Sequence, residues 1–264
     1  MMFGKSCALI GVIHLLPLPG AAGYDGNLNR ILDQAMTEAS IYKETGFDAL
    51  IVENTHDAPY LKGEVGPETT ASMTALCQTL KHESKLPFGV QILAGANIEA
   101  LAVAAACNLD FIRVEGFVFA HVGDEGMHDA CAGKLIRHRF NIKADNVKVF
   151  ADIKKKHSAH AITSDVSIAE TANNAEYFKA DGVIVTGVRT GETADLSEVR
   201  AVREAVDIPV LIGSGVTWDN LVAYAECSDA LIIGSSVKVD GLWQNRLDKE
   251  RCKRIVDASK SHSR

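Results

Sequence analysis

The chain of 264 residues contains little of what marks specialised sequences: only six prolines, and charged residues at 23% against 47% hydrophobic, which excludes disordered and solenoid classes. Basic residues are outnumbered, with 27 Lys and Arg against 34 Asp and Glu, for a net charge of −7. That balance excludes nucleic acid as a main partner, because phosphate-backbone binding needs clustered cations. The one basic run, Lys154-Lys155-Lys156, is too short to reverse it. No apolar run approaches the ~18 residues of a transmembrane segment, so any membrane association is peripheral. The six cysteines, at positions 7, 77, 107, 131, 227 and 252, form no C-x-x-C pair. Neither a zinc site nor a disulfide framework is indicated, and the thiols read as reduced and cytoplasmic. The N-terminal Met-Met-Phe-Gly-Lys-Ser-Cys runs directly into a strand-like segment, with no room for a signal peptide.

What is present is alternation. Apolar strand-length runs at Ala8 to His14, Asp48 to Glu53, Phe88 to Ile92, Asp110 to Glu115, Val147 to Lys154, Asp181 to Thr186, the segment after Pro209, and the segment after Asp229 give eight strands. Helical patterns lie between them: Asn27 to Thr45 with a stripe of Ile31, Ala35, Ala39 and Tyr42; a helix after Pro67 carrying Ala71, Leu76 and Leu80; Ile98 to Cys107; Asp165 to Phe178; Leu196 to Val206; and a terminal helix from Asp248 to Ser259. The connection Phe117 to Gly133 is the longest and reads as a mobile lid. An echo supports the count. Strands two, four, six and eight open with Asp48, Asp110, Asp181 and Asp229, each followed by a branched apolar run. The repeat unit is two β/α modules, and four units predict an α/β fold, a single (β/α)8 TIM barrel over residues 1–264.

Barrel enzymes keep their chemistry at the C-terminal strand ends, and the candidates cluster there. Gly213-Ser214-Gly215 and Gly234-Ser235-Ser236 end consecutive strands with small residues that let the backbone approach an anion, and they predict phosphate-binding loops on the C-terminal face. On the fifth strand, alternation points Asp152 and Lys154 the same way, as a pair able to form a Schiff base, shuttle a proton or hold an enolate. The bland reading is a solvated loop entrance capped by Asp152. Glu53, Glu115 and His14 end other strands as bases or as oxygen and nitrogen ligands, which makes a divalent metal possible, or else they form a structural polar layer. Arg113 shares a face with Glu115, which predicts an internal ion pair. Thr186 holds the strand end equivalent to Glu53 and Glu115. Arg189, between Gly187 and Gly191, either closes over an anionic substrate or faces solvent. His121, Asp124, Glu125, His128 and Asp129 match no ligand spacing and read as a hydrated polar lid.

With Gly11-Val-Ile-His-Leu-Leu-Pro-Leu-Pro-Gly20, Glu53-Asn54, Arg113-Val-Glu115, Ala151-Asp152-Ile-Lys154-Lys-Lys-His157 and Gly213-Ser-Gly215 in view, the chain resembles the BtpA family over nearly its whole length. That resemblance implies a phosphate-binding type of barrel. The founding cyanobacterial members are linked to photosystem I biogenesis at the thylakoid surface, while relatives occur in non-photosynthetic organisms, some beside sugar-uptake genes. A photosystem role is therefore not the shared chemistry. Strand five also resembles, more faintly, the Asp-x-Lys-x-x-Asp motif of the orotidine-phosphate decarboxylase group, with His157 in place of the final Asp. The expectation is an enzyme acting on a small phosphorylated metabolite by lyase or isomerase chemistry, with Asn54, Arg113, His157, Thr186 and Arg189 at the substrate, as a homo-oligomer. The competing expectation is a non-catalytic assembly or stability factor. Substitution of Lys154 by Ala is expected to abolish turnover and spare the fold.

Overall fold

The structure is a computed structural model that describes residues 1–187 and 193–262. The strands are β1 (Ala8–His14), β2 (Ala49–Glu53), β3 (Phe88–Gln91), β4 (Phe111–Val114), β5 (His121–Gly123), β6 (Gly126–His128), β7 (Lys148–Ile153), β8 (Ser158–Ala159), β9 (Gly182–Val185), β10 (Val210–Ile212) and β11 (Ala230–Ile233). The helices are α1 (Leu28–Thr45), α2 (Pro67–Ser84), α3 (Asn97–Ala106), α4 (Ala132–Asn141), α5 (Ile168–Tyr177), α6 (Leu196–Ala205), α7 (Leu221–Ala225) and α8 (Lys249–His262). Eight strands close a parallel barrel in the order β1-β11-β10-β9-β7-β4-β3-β2, so the expected TIM barrel is what the chain forms. Closure is by β1, which runs from Ala8 opposite Ala230 on one side to His14 opposite Glu53 on the other.

The strands are apolar on both faces because both are covered. Ile10, Val12, Ile51, Phe111, Phe150, Ile184, Leu211 and Ile232 point inward and fill the barrel, with Met2 and Phe3 closing its lower end. Leu9, Ile13, Leu50, Val52, Val90, Ile112, Val149 and Val183 point outward under the helices. Two glycines make this packing possible. A Cβ on Gly89 would lie 2.2 Å from the Phe111 ring, and one on Gly11 would lie 2.6 Å from Tyr42, whose hydroxyl donates to the Val12 carbonyl at 2.9 Å. Asn27 caps α1 through its side chain, and the stripe Ile31, Ala35, Ala39 and Tyr42 is buried as the spacing predicts. On α2, Ala71 is exposed, and Met73 and Cys77 join Leu76 and Leu80 on the buried face instead.

The aspartate echo has a structural cause. Asp48, Asp110, Asp181 and Asp229 each bind one residue of the preceding barrel strand twice. The backbone N–H donates to the carbonyl of Leu9, Phe88, Val149 or Val210, and the carboxylate accepts the N–H of that same residue at 2.7 to 3.0 Å. A cation supports each clamp: Lys5 on Asp48, Lys81 on Asp110, Arg139 on Asp181 and Arg203 on Asp229.

The segment expected to be a hydrated lid is folded. Strands β5 and β6 form a hairpin, and β8 pairs with β5 to complete a three-stranded antiparallel sheet over the C-terminal rim. His121 and His128 are buried in it and stack face to face with centroids 5.0 Å apart, which is why the polar composition misleads. Among the described residues, no helix is long and apolar enough to cross a membrane.

Candidate active site at the C-terminal rim

One step past the apolar layer, the inward positions of the strands become polar: His14, Glu53, Gln91, Arg113, Asp152 and Thr186 are all buried. Arg113 is the hub. Its Nε lies 3.2 Å from both Asp152 oxygens, its Nη2 3.1 Å from Asp152 Oδ2, and its Nη1 3.2 Å from Glu53 Oε1. Charges taken out of water cost several kcal/mol each unless paired, and this guanidinium is shared by two carboxylates. Burial works against its charge, but Asp152 and Glu53 more than offset that and raise its pKa. Burial pushes the Glu53 carboxyl up, against the opposing pull of Arg113 and Lys156. Arg113 thus pairs with Asp152 and Glu53, whereas Glu115 is taken by Lys155, 3.2 Å from its Oε1, and its Oε2 is buried without a partner among the described residues.

His14 is held neutral, its pKa well below the usual value because of burial and, next, Lys238. Its Nδ1 lies 3.2 Å from the Trp243 carbonyl, which only accepts, so the proton sits on Nδ1 and Nε2 carries a bare lone pair. A Cβ placed on Gly234 would be 3.3 Å from that Nε2.

The expected pair of Asp152 and Lys154 does not form. Alternation holds only in extended backbone, and β7 ends at Ile153; Lys154 takes a φ of 48°, which turns its side chain out to donate to the Thr163 carbonyl at 2.8 Å. Lys155 and Lys156 enter the cavity instead. The Lys156 N–H donates to Thr186 Oγ1 at 3.0 Å, which anchors the turn across the rim. Its ammonium is in no ion pair among the described residues, and burial followed by Arg113 lowers its pKa.

The two glycine-serine turns converge on the same cavity, which measures about 560 Å³. A Cβ on Gly213 would lie 2.5 Å from Ile184 Cγ2 and 3.1 Å from Arg113 Nη2, so only glycine allows this turn beside the charged hub. Gly215 has a φ of +69°, the left-handed conformation glycine adopts freely. Ser214 Oγ accepts the Gly187 N–H at 2.8 Å, and Ser236 Oγ is buried without a partner among the described residues. Arg251, from α8, lines the cavity, donates to the Ser236 carbonyl at 3.1 Å and lies over the Trp218 ring. Just beyond this turn, Lys238 makes a buried ion pair with Glu38 of α1 at 2.6 Å.

Other expected residues are placed differently. Asn54 does not face the cavity: its Oδ1 accepts the Leu93 N–H at 2.7 Å and its Nδ2 donates to Asp57 at 2.9 Å, so it ties two loops together. His157 lines the cavity from an exposed position, and Arg189 lies outside the described residues. Asp124 and Glu125 of the hairpin reach the cavity wall, with Glu125 accepting from His128 at 3.3 Å. Among the described residues no group of three or more His, Cys, Asp or Glu side chains is arranged to hold a metal ion. Glu53 and Glu115, the carboxylates expected as possible metal ligands, each face a cationic side chain through one oxygen. Gln91, Tyr60, Trp218, Trp243 and Arg251 also line the cavity and were not anticipated. Gln91 was within reach of the alternation rule, as the polar end of β3; the others come from loops and a terminal helix that carry no local signal.

The sequence model of the BtpA family matches residues 5–261. An uncharacterized mitochondrial protein of Caenorhabditis elegans is 46% identical over 253 residues, covering 94% of this chain and 91% of its own. The photosystem I biogenesis protein BtpA of Synechocystis is 34% identical over 251 residues, covering 95% of this chain and 87% of its own. Among solved structures, thiamine phosphate pyrophosphorylase from Pyrococcus furiosus superposes with a TM-score of 0.61 at 16% identity over 99% of both chains, a likeness of fold.

Proposed function

Because the chain belongs to the BtpA family, whose relatives here range from a cyanobacterium to a worm, we propose that it shares a soluble metabolic chemistry with them. It is an enzyme acting on a small phosphorylated metabolite, a sugar phosphate or nucleotide-like compound, by lyase or isomerase chemistry. The observation that carries this reading is that one cavity joins two glycine-serine turns to a ring of buried ionisable groups. Its volume falls within the roughly 300–1,000 Å³ typical of metabolite sites. The phosphate sits against Gly213–Gly215 and Gly234–Ser236 beside Arg251, and its binding energy orients the reacting carbon toward the ring. Glu53 and Glu115 exchange protons with it, His14 Nε2 accepts one, and Asp152 keeps Arg113 in place. The lysine of the mechanism is Lys156, since Lys154 is engaged outside the cavity. All six cysteines are free, which suits a reducing compartment such as the cytoplasm.

A scaffold role has one feature in its favour, the name of the Synechocystis relative as a photosystem I biogenesis protein, but a scaffold has no need of so many buried charges in one cavity. The test is thermal unfolding of the full chain with inorganic phosphate and a panel of phosphorylated metabolites. Phosphorylated compounds are expected to raise the midpoint, through added stability of roughly 2.7 kcal/mol at a free concentration a hundredfold above Kd. Gly215→Val should erase the shift. No shift with any phosphorylated compound would remove the enzyme reading as stated.

A further inference from the structure

Among the described residues of the ring, two cations are matched by carboxylates and Lys156 is not. Arg113 faces Asp152 and Glu53, and Lys155 faces Glu115. Lys156 lines the cavity, half-buried, with its main chain pinned to Thr186; among the described residues no carboxylate lies within ion-pair distance of its ammonium, while Glu53, Asp152 and Glu115 act on it from farther off. The residues on either side, Lys155 and His157, line the same cavity, and the backbone turns left-handed at Lys154 and again at His157. Of the two lysine amines on this short turn, Lys155 is held by Glu115, which leaves Lys156 as the unpaired one among the described residues. A cation needed only for structure is matched by an anion, whereas an amine left unmatched in a partly desolvated pocket is poised to lose its proton and react.

We propose that Lys156 is a catalytic nucleophile that forms an imine with the carbonyl carbon of a phosphorylated aldehyde or ketone. This rests on the phosphate-binding reading above and narrows its substrate class. The neutral Nζ adds to the carbonyl carbon, forming the C–N bond as the carbonyl π pair moves to oxygen, which takes up a proton. The nitrogen gives up one of its own protons, and the carbinolamine loses water as C=N forms. Glu53 faces the same cavity with its carboxyl pushed up by burial, so it is suited to carry the proton from nitrogen to the departing oxygen. Hydrolysis of the product imine reverses each step and returns the free lysine, so no oxidant, reductant or further reactant is consumed. The resulting iminium draws electrons from the adjacent carbon, which is what both carbon–carbon cleavage and carbonyl migration require.

The experiment traps the bond, so it does not depend on knowing the natural substrate. The full chain is incubated with sodium cyanoborohydride and, separately, dihydroxyacetone phosphate, glyceraldehyde 3-phosphate and ribulose 5-phosphate, followed by intact-mass and peptide mapping. The expected result is one reduced adduct on the peptide containing Lys156 with at least one probe, slowed by added inorganic phosphate. Lys156→Ala and Lys156→Arg should each cut labelling at least ~10-fold, as loss of the nucleophile demands. Unchanged circular dichroism and melting would show that both variants are folded. Labelling at Lys154 or Lys155, or no adduct with any of the three probes, overturns the proposal. If the probes raise the melting midpoint without forming an adduct, the phosphate reading stands and the imine falls. Conversely, dihydroxyacetone without its phosphate labelling Lys156 as fast as the ester would leave the nucleophile standing and remove the phosphate reading.

Discussion

At the lower rim of the barrel, Asp48, Asp110, Asp181 and Asp229 each hold one strand residue by two hydrogen bonds and face a basic side chain. At the upper rim, the opposite ends of those same four strands lead to two carboxylates, Glu53 and Glu115, a hydroxyl, Thr186, and a bare glycine, Gly234. There the balance is incomplete: Glu115 Oε2 and Ser236 Oγ are buried without partners and the Lys156 ammonium is unmatched among the described residues. Identical local geometry, with each aspartate bound twice to its strand, is what stability asks for. Diverse groups held in a partly unsatisfied state are what a binding site asks for, because the missing partner is the ligand.

That contrast can be broken from below first. Asp181→Ala removes the clamp on Val149 and leaves the buried Arg139 without its carboxylate, so urea denaturation should show a loss of about 3–5 kcal/mol, with ligand affinity of the folded fraction unchanged. A loss of affinity with stability intact would invert the assignment of the two rims. Above, Gly213→Ala should cost less, about 1–3 kcal/mol for forcing a methyl against Ile184. The same change should weaken phosphate binding by displacing Arg113 and the turn, read as a smaller ligand-induced rise in melting temperature.

The smallest effect is on pH. His121, in the hairpin sheet, has its pKa lowered to about 4 by burial first and then by Lys155, His128 and His160, with Glu125 opposing. Because the unfolded histidine titrates near 6.5, the unfolded chain binds more protons below that pH. Its contribution is therefore fully present above about pH 6.5 and lost as pH falls toward 4. His121→Phe is expected to flatten the fall in melting temperature over that window; an unchanged slope would assign acid sensitivity elsewhere.

How much of this was legible depended on the range of each rule. Strand β1, the Asn27 cap, the α1 stripe and the aspartate echo are local patterns, and the eight-stranded barrel followed from them. The glycine-serine turns were legible for the same reason, since tight turns of small residues are written in residue type, and both line one cavity. Helix α4 and the hairpin escaped notice: strands of three residues, His121–Gly123 and Gly126–His128, are too short for an alternation to register. Lys154 failed because alternation was carried one residue past the end of extended backbone, where a φ of 48° reverses it. Arg251 reaches the cavity from α8, far along the chain, and no spacing announces it; Trp218 stands three residues after Gly215, but its residue type carries no anion-binding signal.

Each aspartate clamp joins one barrel strand to the next barrel strand along the chain: β1 to β2, β3 to β4, β7 to β9 and β10 to β11. None of the four crosses from one such couple to the next. The molecule is thus four fastened tiles arranged in a circle, and the tile, not the single strand with its helix, is the smallest piece that could have been copied or exchanged without undoing a fastener.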